Sequence, residues 1–221
     1  MVDIHTHILP NVDDGSNSLE LSNDLLKLEY DNGVDVVVFT PHVNAANKDN
    51  VSLLKEKFET FKSNYKGPLK LLLGSEIYYY HGMYQDLKDN KCLTINDSNF
   101  VLVEFSTRME TDICNIVYEI KRLGYTPIIA HIERYLYLNF NDYLEIKKLG
   151  ALIQVNAHSF EISSLKKNIK FLMKNKLVDF IASDCHNTKR SVDFSFVKKF
   201  VLKKYKDQYD KLFYSEYDFL K

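Results

Sequence analysis

"VDIHTHILPNVDDGS", residues 2–16, begins as a short apolar strand and ends in metal-friendly side chains. His5 and His7 flank one threonine, Asp3 stands two places earlier, and Asp13 and Asp14 precede a glycine. Alternate side chains of an extended strand share a face, so residues 3, 5 and 7 are expected to point together. Two imidazoles at that spacing suit one cation. Asp3 is expected to orient a ligand from behind, and Asp14 to add a carboxylate from the following loop. Taken alone the stretch is also readable as an exposed terminus with common loop residues.

The remaining chain repeats the pattern. Short apolar runs read as strands at 2–5, 35–40, 70–74, 100–105, 126–131, 151–156 and 178–184. Between them lie amphipathic segments such as "SLELSNDLLKLEYDNG" (18–33) and "TDICNIVYEIKRLG" (111–124), each closed by glycine, the second with threonine in the capping position. This alternation predicts βαβ units and a mainly parallel sheet, with strands covered on both faces. A doubly wound open sheet would give the same rhythm.

Polar residues decide between the two, because they gather at the strand ends. His5 and His7 end the first strand and His42 the second; Glu76 follows the third, and Glu104 lies in the fourth. His131 and Arg134 end the fifth strand, and Asp184 and His186 the seventh. A parallel barrel converges residues from many strands on its C-terminal rim, whereas an open sheet converges them on one crevice. The expected fold class is therefore α/β, a distorted (β/α)7 TIM-like barrel with a metal centre at that rim.

His5, His7, Asp14, His42, Glu76, Glu104, His131, Asp184 and His186 are the candidate metal ligands. Nine exceed what one ion uses, and mixed imidazole and carboxylate donors suit Mn2+, Fe or Zn2+, two or three ions together. Each histidine alone also reads as a hydrogen-bonded structural residue. Glu104, inside an apolar strand, is costly to bury without a partner. His81 reads as a surface residue and His158 as a rim or supporting residue.

Composition narrows the function. At 221 residues, 45% of them hydrophobic, the chain suits one domain, residues 1–221, with 192–221 as helices closing the barrel edge. That aromatic and lysine-rich tail has a second reading as a partner-docking surface. A net charge of -1 offers no basic footprint for nucleic acid, and no apolar run is long enough for membrane insertion. Three unrelated cysteines and no signal-peptide pattern point to a cytoplasmic location.

These motifs resemble a known family. "DIHTHILPNVDDG", "TPH" (40–42), "GSEIYY" (74–79), "LVEFS" (102–106), "IAHIER" (129–134) and "SDCHNT" (183–188) are similar to the polymerase and histidinol phosphatase (PHP) superfamily. Within it they resemble bacterial manganese-dependent protein tyrosine phosphatases of capsule and exopolysaccharide operons, in order from residue 2 to about residue 190. The resemblance implies a trinuclear centre held by the nine residues above, with Arg134 binding substrate phosphate. It implies another catalytic arginine after the last motif. Here Arg190 stands one residue early and without the prolines that usually follow.

The implied activity is hydrolysis of phosphotyrosine on a protein by in-line attack of a metal-bridged hydroxide. The implied partner is a bacterial tyrosine kinase that regulates capsular or exopolysaccharide synthesis. A small-molecule phosphatase or phosphodiesterase, and an inactive scaffold, are the alternatives. A cysteine mechanism fits poorly. Cys185 precedes Arg190 by four intervening residues rather than five, and strand alternation turns its sulfur away from Asp184 and His186.

Overall fold

Every apolar run named above contains a strand, and two are followed after a short break by a second strand. The computed structural model describes residues 1–214, 217 and 220. Its strands are β1 (Val2–Thr6), β2 (Val36–Phe39), β3 (His42–Val43), β4 (Lys70–Leu73), β5 (Glu76–Tyr78), β6 (Phe100–Glu104), β7 (Thr126–Ile129), β8 (Leu152–Asn156) and β9 (Phe180–Ala182). The helices are α1 (Leu19–Asp31), α2 (Val51–Asn64), α3 (Met83–Lys88), α4 (Ile113–Arg122), α5 (Phe140–Lys148), α6 (Lys166–Lys174), α7 (Ser195–Lys204) and α8 (Tyr209–Tyr214). The chain breaks between β2 and β3 at Thr40–Pro41, where proline has no N–H to give. It breaks between β4 and β5 at Gly74–Ser75, where an added Cβ would lie 2.5 Å from Ile95.

All pairings between these strands are parallel. β1, β2 and β4 form one sheet; β3, β5, β6, β7, β8 and β9 form the other, in that order. A parallel bridge joins Thr6 to Cys185, and the amide of His7 donates to the Cys185 carbonyl at 2.9 Å, so β1 meets the chain just beyond β9.

Strand side chains divide between two cores. Val37, Phe39, Leu71, Val101, Val103 and Ile153 pack under helices. Ile4, Val38, Leu72, Leu102, Ile128 and Phe180, drawn from both sheets, pack on one another in a second cluster. Each such side chain contributes about 1.5–3 kcal/mol on full burial. Ser18 caps α1 by accepting from the Leu21 amide, and Gly33 beyond it adopts φ +79. α4 departs from expectation at its start: the Asp112 carboxylate, not Thr111, accepts from the Asn115 amide.

β1 departs further. Its register with β2 is irregular between Asp3 and Thr6, so simple alternation fails there. Ile4 joins the second cluster, while Asp3 turns to the helix side and faces Glu29 of α1. Asp3 therefore does not orient an imidazole. It accepts the backbone amides of His5 at 3.2 Å and Ser183 at 3.1 Å, tying β1 to the end of β9.

Candidate metal centre

Six strand ends, each broken pair counted once, bring the nine residues together. The break before β3 sets His42 beside Glu76 in register, and the His42 Nδ1 lies 3.0 Å from Glu76 Oε2. Glu76 is central: its Oε2 also lies 3.2 Å from His5 Nε2 and 3.3 Å from His7 Nε2, and its Oε1 2.9 Å from His131 Nε2. Asp184 Oδ1 is 3.6 Å from both His5 and His7 and 3.5 Å from His186 Nδ1. Asp14 Oδ1 approaches His42 at 3.4 Å and His186 at 3.5 Å; Glu104 approaches His131 at 3.6 Å and His42 at 3.9 Å.

Three sets of donor atoms, each within 4.8 Å of one another, emerge: His7, Asp14, His42 and His186; His5, His7 and Asp184; His42, Glu76 and Glu104. They overlap through His7 and His42. The interior members are fully buried, while Glu104 and His42 lie partly open and Asp14 is 66% exposed. The cluster thus opens to solvent on one side.

Two observations test whether a metal fits. His5 Nε2 and His7 Nε2 lie 3.2 Å apart, so two ring nitrogens converge on one spot. His186 Nε2 and His131 Nδ1 are buried with no hydrogen-bond partner among the described residues. Orphaned buried nitrogens are rare because each costs about 1–3 kcal/mol. Lone pairs aimed at carboxylate oxygens, in a set of imidazoles and carboxylates, are what a divalent ion takes. The residues fit.

Protonation points the same way. Burial would lower the His7 pKa, but hydrogen bonds to Asp13 and Glu76 carry it up to about 10. Burial opposes ionisation of Glu76 too, yet the surrounding imidazoles hold its carboxyl well below the usual range. Burial and Glu76 raise Glu104; burial and His7 push His186 down to about 4. The carboxylates demand positive charge, and a proton on His7 supplies it where no ion does. His131 and Asp184 also hold backbone φ of 29 and 54, a left-handed region that non-glycine residues seldom adopt.

Neighbours that the sequence reading passed over hold the cluster. Asp13, not counted among the ligands, accepts from His7 Nδ1 at 2.8 Å and from the amides of Gly15 and His42 at 3.0 Å. On β8, Gln154 accepts the His131 amide at 2.7 Å and lies 3.2 Å from His5 Nδ1. Its amide donates to Asn156, which donates to Asp184 at 2.7 Å. Such outer contacts fix ring orientation and tautomer.

Beside the cluster lies a cavity of about 560 Å3, lined by Arg134, Lys189, Arg190, His158, Asn156 and Asp184 among others. Arg190 donates to Asp184 Oδ2 at 2.8 Å, and Arg134 stands 3.8 Å from the same oxygen. Both arginines are partly exposed toward the cavity. His158 is exposed at its rim, and His81 is a surface residue, both as expected. Cys185 is fully buried with its sulfur 3.8 Å from Glu29. Burial, Glu29 and Asp3 push its thiol well above the ordinary value, so it is no thiolate.

A family model described as capsular polysaccharide synthesis, CpsB/CapC, matches residues 1–218. The chain belongs to the CpsB/CapC family. It is 34% identical over 206 residues to the tyrosine-protein phosphatase CpsB of Streptococcus agalactiae, covering 85% of this chain and 83% of that protein. It is 31% identical over 208 residues to the tyrosine-protein phosphatase YwqE of Bacillus subtilis, covering 86% and 78%. A solved structure from work on YwqE of Bacillus subtilis and CpsB of Streptococcus pneumoniae, described as metal-dependent tyrosine phosphatases, superposes with a TM-score of 0.78 at 29% identity. It covers 93% of this chain and 87% of that one. The CpsB/CapC fold is thus carried here on mixed α/β architecture with parallel sheets.

Proposed function

We propose that this chain is a metal-dependent protein-tyrosine phosphatase acting in capsular or exopolysaccharide synthesis. The observation that carries the reading is the convergence of eight imidazole and carboxylate residues in overlapping sets, with His131 joined to them through Glu76, beside a cavity lined by two arginines. Family membership and the named activities of relatives support the substrate. In this reading His5, His7, Asp14, His42, Glu76, Glu104, His131, Asp184 and His186 are the ligands. They hold two or three ions, Mn2+ first, with Fe or Zn2+ as substitutes that the same mixed imidazole and carboxylate donors accept. A tyrosine kinase of the same system is the proposed partner, and the cytoplasm the proposed location.

When bound, the metals supply a water of lowered pKa and positive charge opposite the ester oxygens. The chain's residues supply the rest. Arg134 binds the phosphate with a planar fork that matches its oxygens. Arg190, bonded to Asp184, lines the same cavity. Tyrosinate, with a pKa of about 10, leaves without a strong general acid. Asp13, Gln154 and Asn156 hold imidazoles and Asp184 in place while charge redistributes.

The fold reading extends in the same way. The Thr6–Cys185 bridge and the second core cluster, which strands of both sheets share, support a distorted seven-stranded barrel, each broken pair counting as one strand. We take residues 1–221 as one domain with 192–221 closing its edge. α7 and α8 bury Val197, Val201, Leu212 and Phe213 in support. Residues 215, 216, 218, 219 and 221 of that tail lie outside the described residues.

Comparison of kcat/KM for a phosphotyrosyl peptide, the matching phosphoseryl peptide, histidinol phosphate and a phosphodiester tests the substrate. The phosphotyrosyl peptide is expected to lead by at least about a hundredfold, since the poorer leaving groups lack an acid here. A lead for histidinol phosphate or the diester would install the small-molecule or phosphodiesterase alternative instead.

A further inference from the structure

Charge is distributed unevenly along this near-neutral chain. Residues 162–206 hold twelve lysines and arginines against three aspartates and no glutamate, a formal +9 within a total of -1. Much of that charge lies on α6 and α7. Lys166, Lys170 and Lys204 line a second concavity of about 620 Å3 together with Phe160, Phe196 and Phe200. Lys204 Nζ stands 5.1 Å from the centre of the Phe200 ring, which meets Phe160 edge-on at 5.5 Å and stacks on Phe196 at 6.3 Å. Phe196 is 43% exposed. None of the three lysines has an ion-pair partner among the described residues.

The two concavities share a wall. His158, Glu161 and Ile162 face the one beside the metal cluster; Phe160 and Lys166 face the other. A chain leaving the first across the exposed Ile162 comes next to the lysines. The cation types differ as their tasks would require. Arginine's fork at the first cavity suits phosphate, while lysine's flexible point charge suits carboxylates without fixed register.

We propose that the α6–α7 concavity docks an acidic segment flanking the phosphotyrosine of the protein substrate, with an apolar side chain of that segment on the phenylalanine rings. The proposal rests on the phosphotyrosine phosphatase reading above. Recessed rings framed by lysines fit an extended peptide better than the flat surface of a membrane. Opposite charge at this distance from the reacting centre steers and retains substrate, so its effect falls on KM and weakens with salt.

The test uses full-length protein loaded with Mn2+ and two phosphotyrosyl peptides that differ only in a flank of Asp and Glu against Asn and Gln. An aryl phosphate serves as the control substrate. Charge reversal at K166E, K170E and K204E together should raise KM for the acidic peptide about tenfold or more at low salt, with kcat unchanged. The neutral peptide and the aryl phosphate should be unaffected. The milder K166Q, K170Q and K204Q set should move KM the same way, and keeps the test valid if charge reversal disturbs folding.

Equal wild-type rates on both peptides, or an equal loss on all three substrates, would overturn the proposal. Fluorescence anisotropy with the unphosphorylated acidic peptide separates docking from catalysis. Lysine-dependent binding without hydrolysis of either phosphopeptide would sustain the docking site and sink the phosphatase reading. Lysine-dependent binding of phosphatidylglycerol vesicles, with none of the peptide, would give the face to a membrane and overturn the peptide.

Discussion

Asp13 holds His7 by Nδ1 and the following loop by two amides, so its loss should be felt by the metal before the fold. Asp13→Asn keeps the shape but removes the charge, and is expected to weaken metal affinity by about 10–100-fold. Isothermal titration with Mn2+ measures this; unchanged affinity would remove Asp13 from the centre. The same pair sets a pH dependence. The His7 pKa in the metal-free protein is up to about 10, above its ordinary 6.5, so its stabilising contribution is full below 6.5 and lost as pH rises through 10. Asp13 is lowered from 3.8 to about 2, and its contribution is full above 3.8 and lost as pH falls through 2. Metal-free protein should therefore lose Tm steadily from pH 6.5 toward 10, and Asp13→Asn should flatten that slope. A Tm flat across this range in the wild type would contradict a protonated His7. None of this was legible in "NVDD", where two adjacent carboxylates look alike. The turn that ends at Gly15, not their identity, aims Asp13 at His7 Nδ1 and sets the more exposed Asp14 beside His42 and His186.

That turn rests on close approach. A Cβ at Gly15 would lie 2.2 Å from the His7 carbonyl and 2.5 Å from its Cβ, so the loop and the end of β1 must part. Gly15→Ala is expected to cut turnover by about a hundredfold through displacement of Asp13 and Asp14, with the circular-dichroism spectrum retained. Wild-type turnover would show that the loop tolerates the shift. The strands themselves were legible because burial on both faces writes continuous apolar runs, and the helix ends because Gly33 and Gly124 adopt positive φ. The irregular register of β1 was not. Alternation placed Asp3 beside His5 and His7, but nothing in "VDIHTH" marks where the backbone shifts, which depends on Val38 and Thr40 accepting and bonding Thr6 across the sheet. Gln154 and Asn156 were missed for a related reason. An amide in an apolar strand carries no charge signal, and its meaning comes only from His5, His131 and Asp184 of distant strands.

Across the fold, chemistry divides between two sets of residues that the sequence interleaves. Histidines and carboxylates at the strand ends form a centre that calls for cations, while arginines on the adjoining loops face the space where an anion would sit. All three thiols are pushed up by burial, Cys92 to about 11, and Cys185 is fully buried. The central claim is that metals at this cluster, and no thiolate, drive hydrolysis. It is tested most directly by following phosphotyrosine hydrolysis in Cys185→Ser and wild-type protein through chelation and graded return of Mn2+. Both proteins should fall to background with chelator and recover together, saturating at two to three ions per chain. Activity that survives chelation in the wild type, but is absent from Cys185→Ser, would contradict the account.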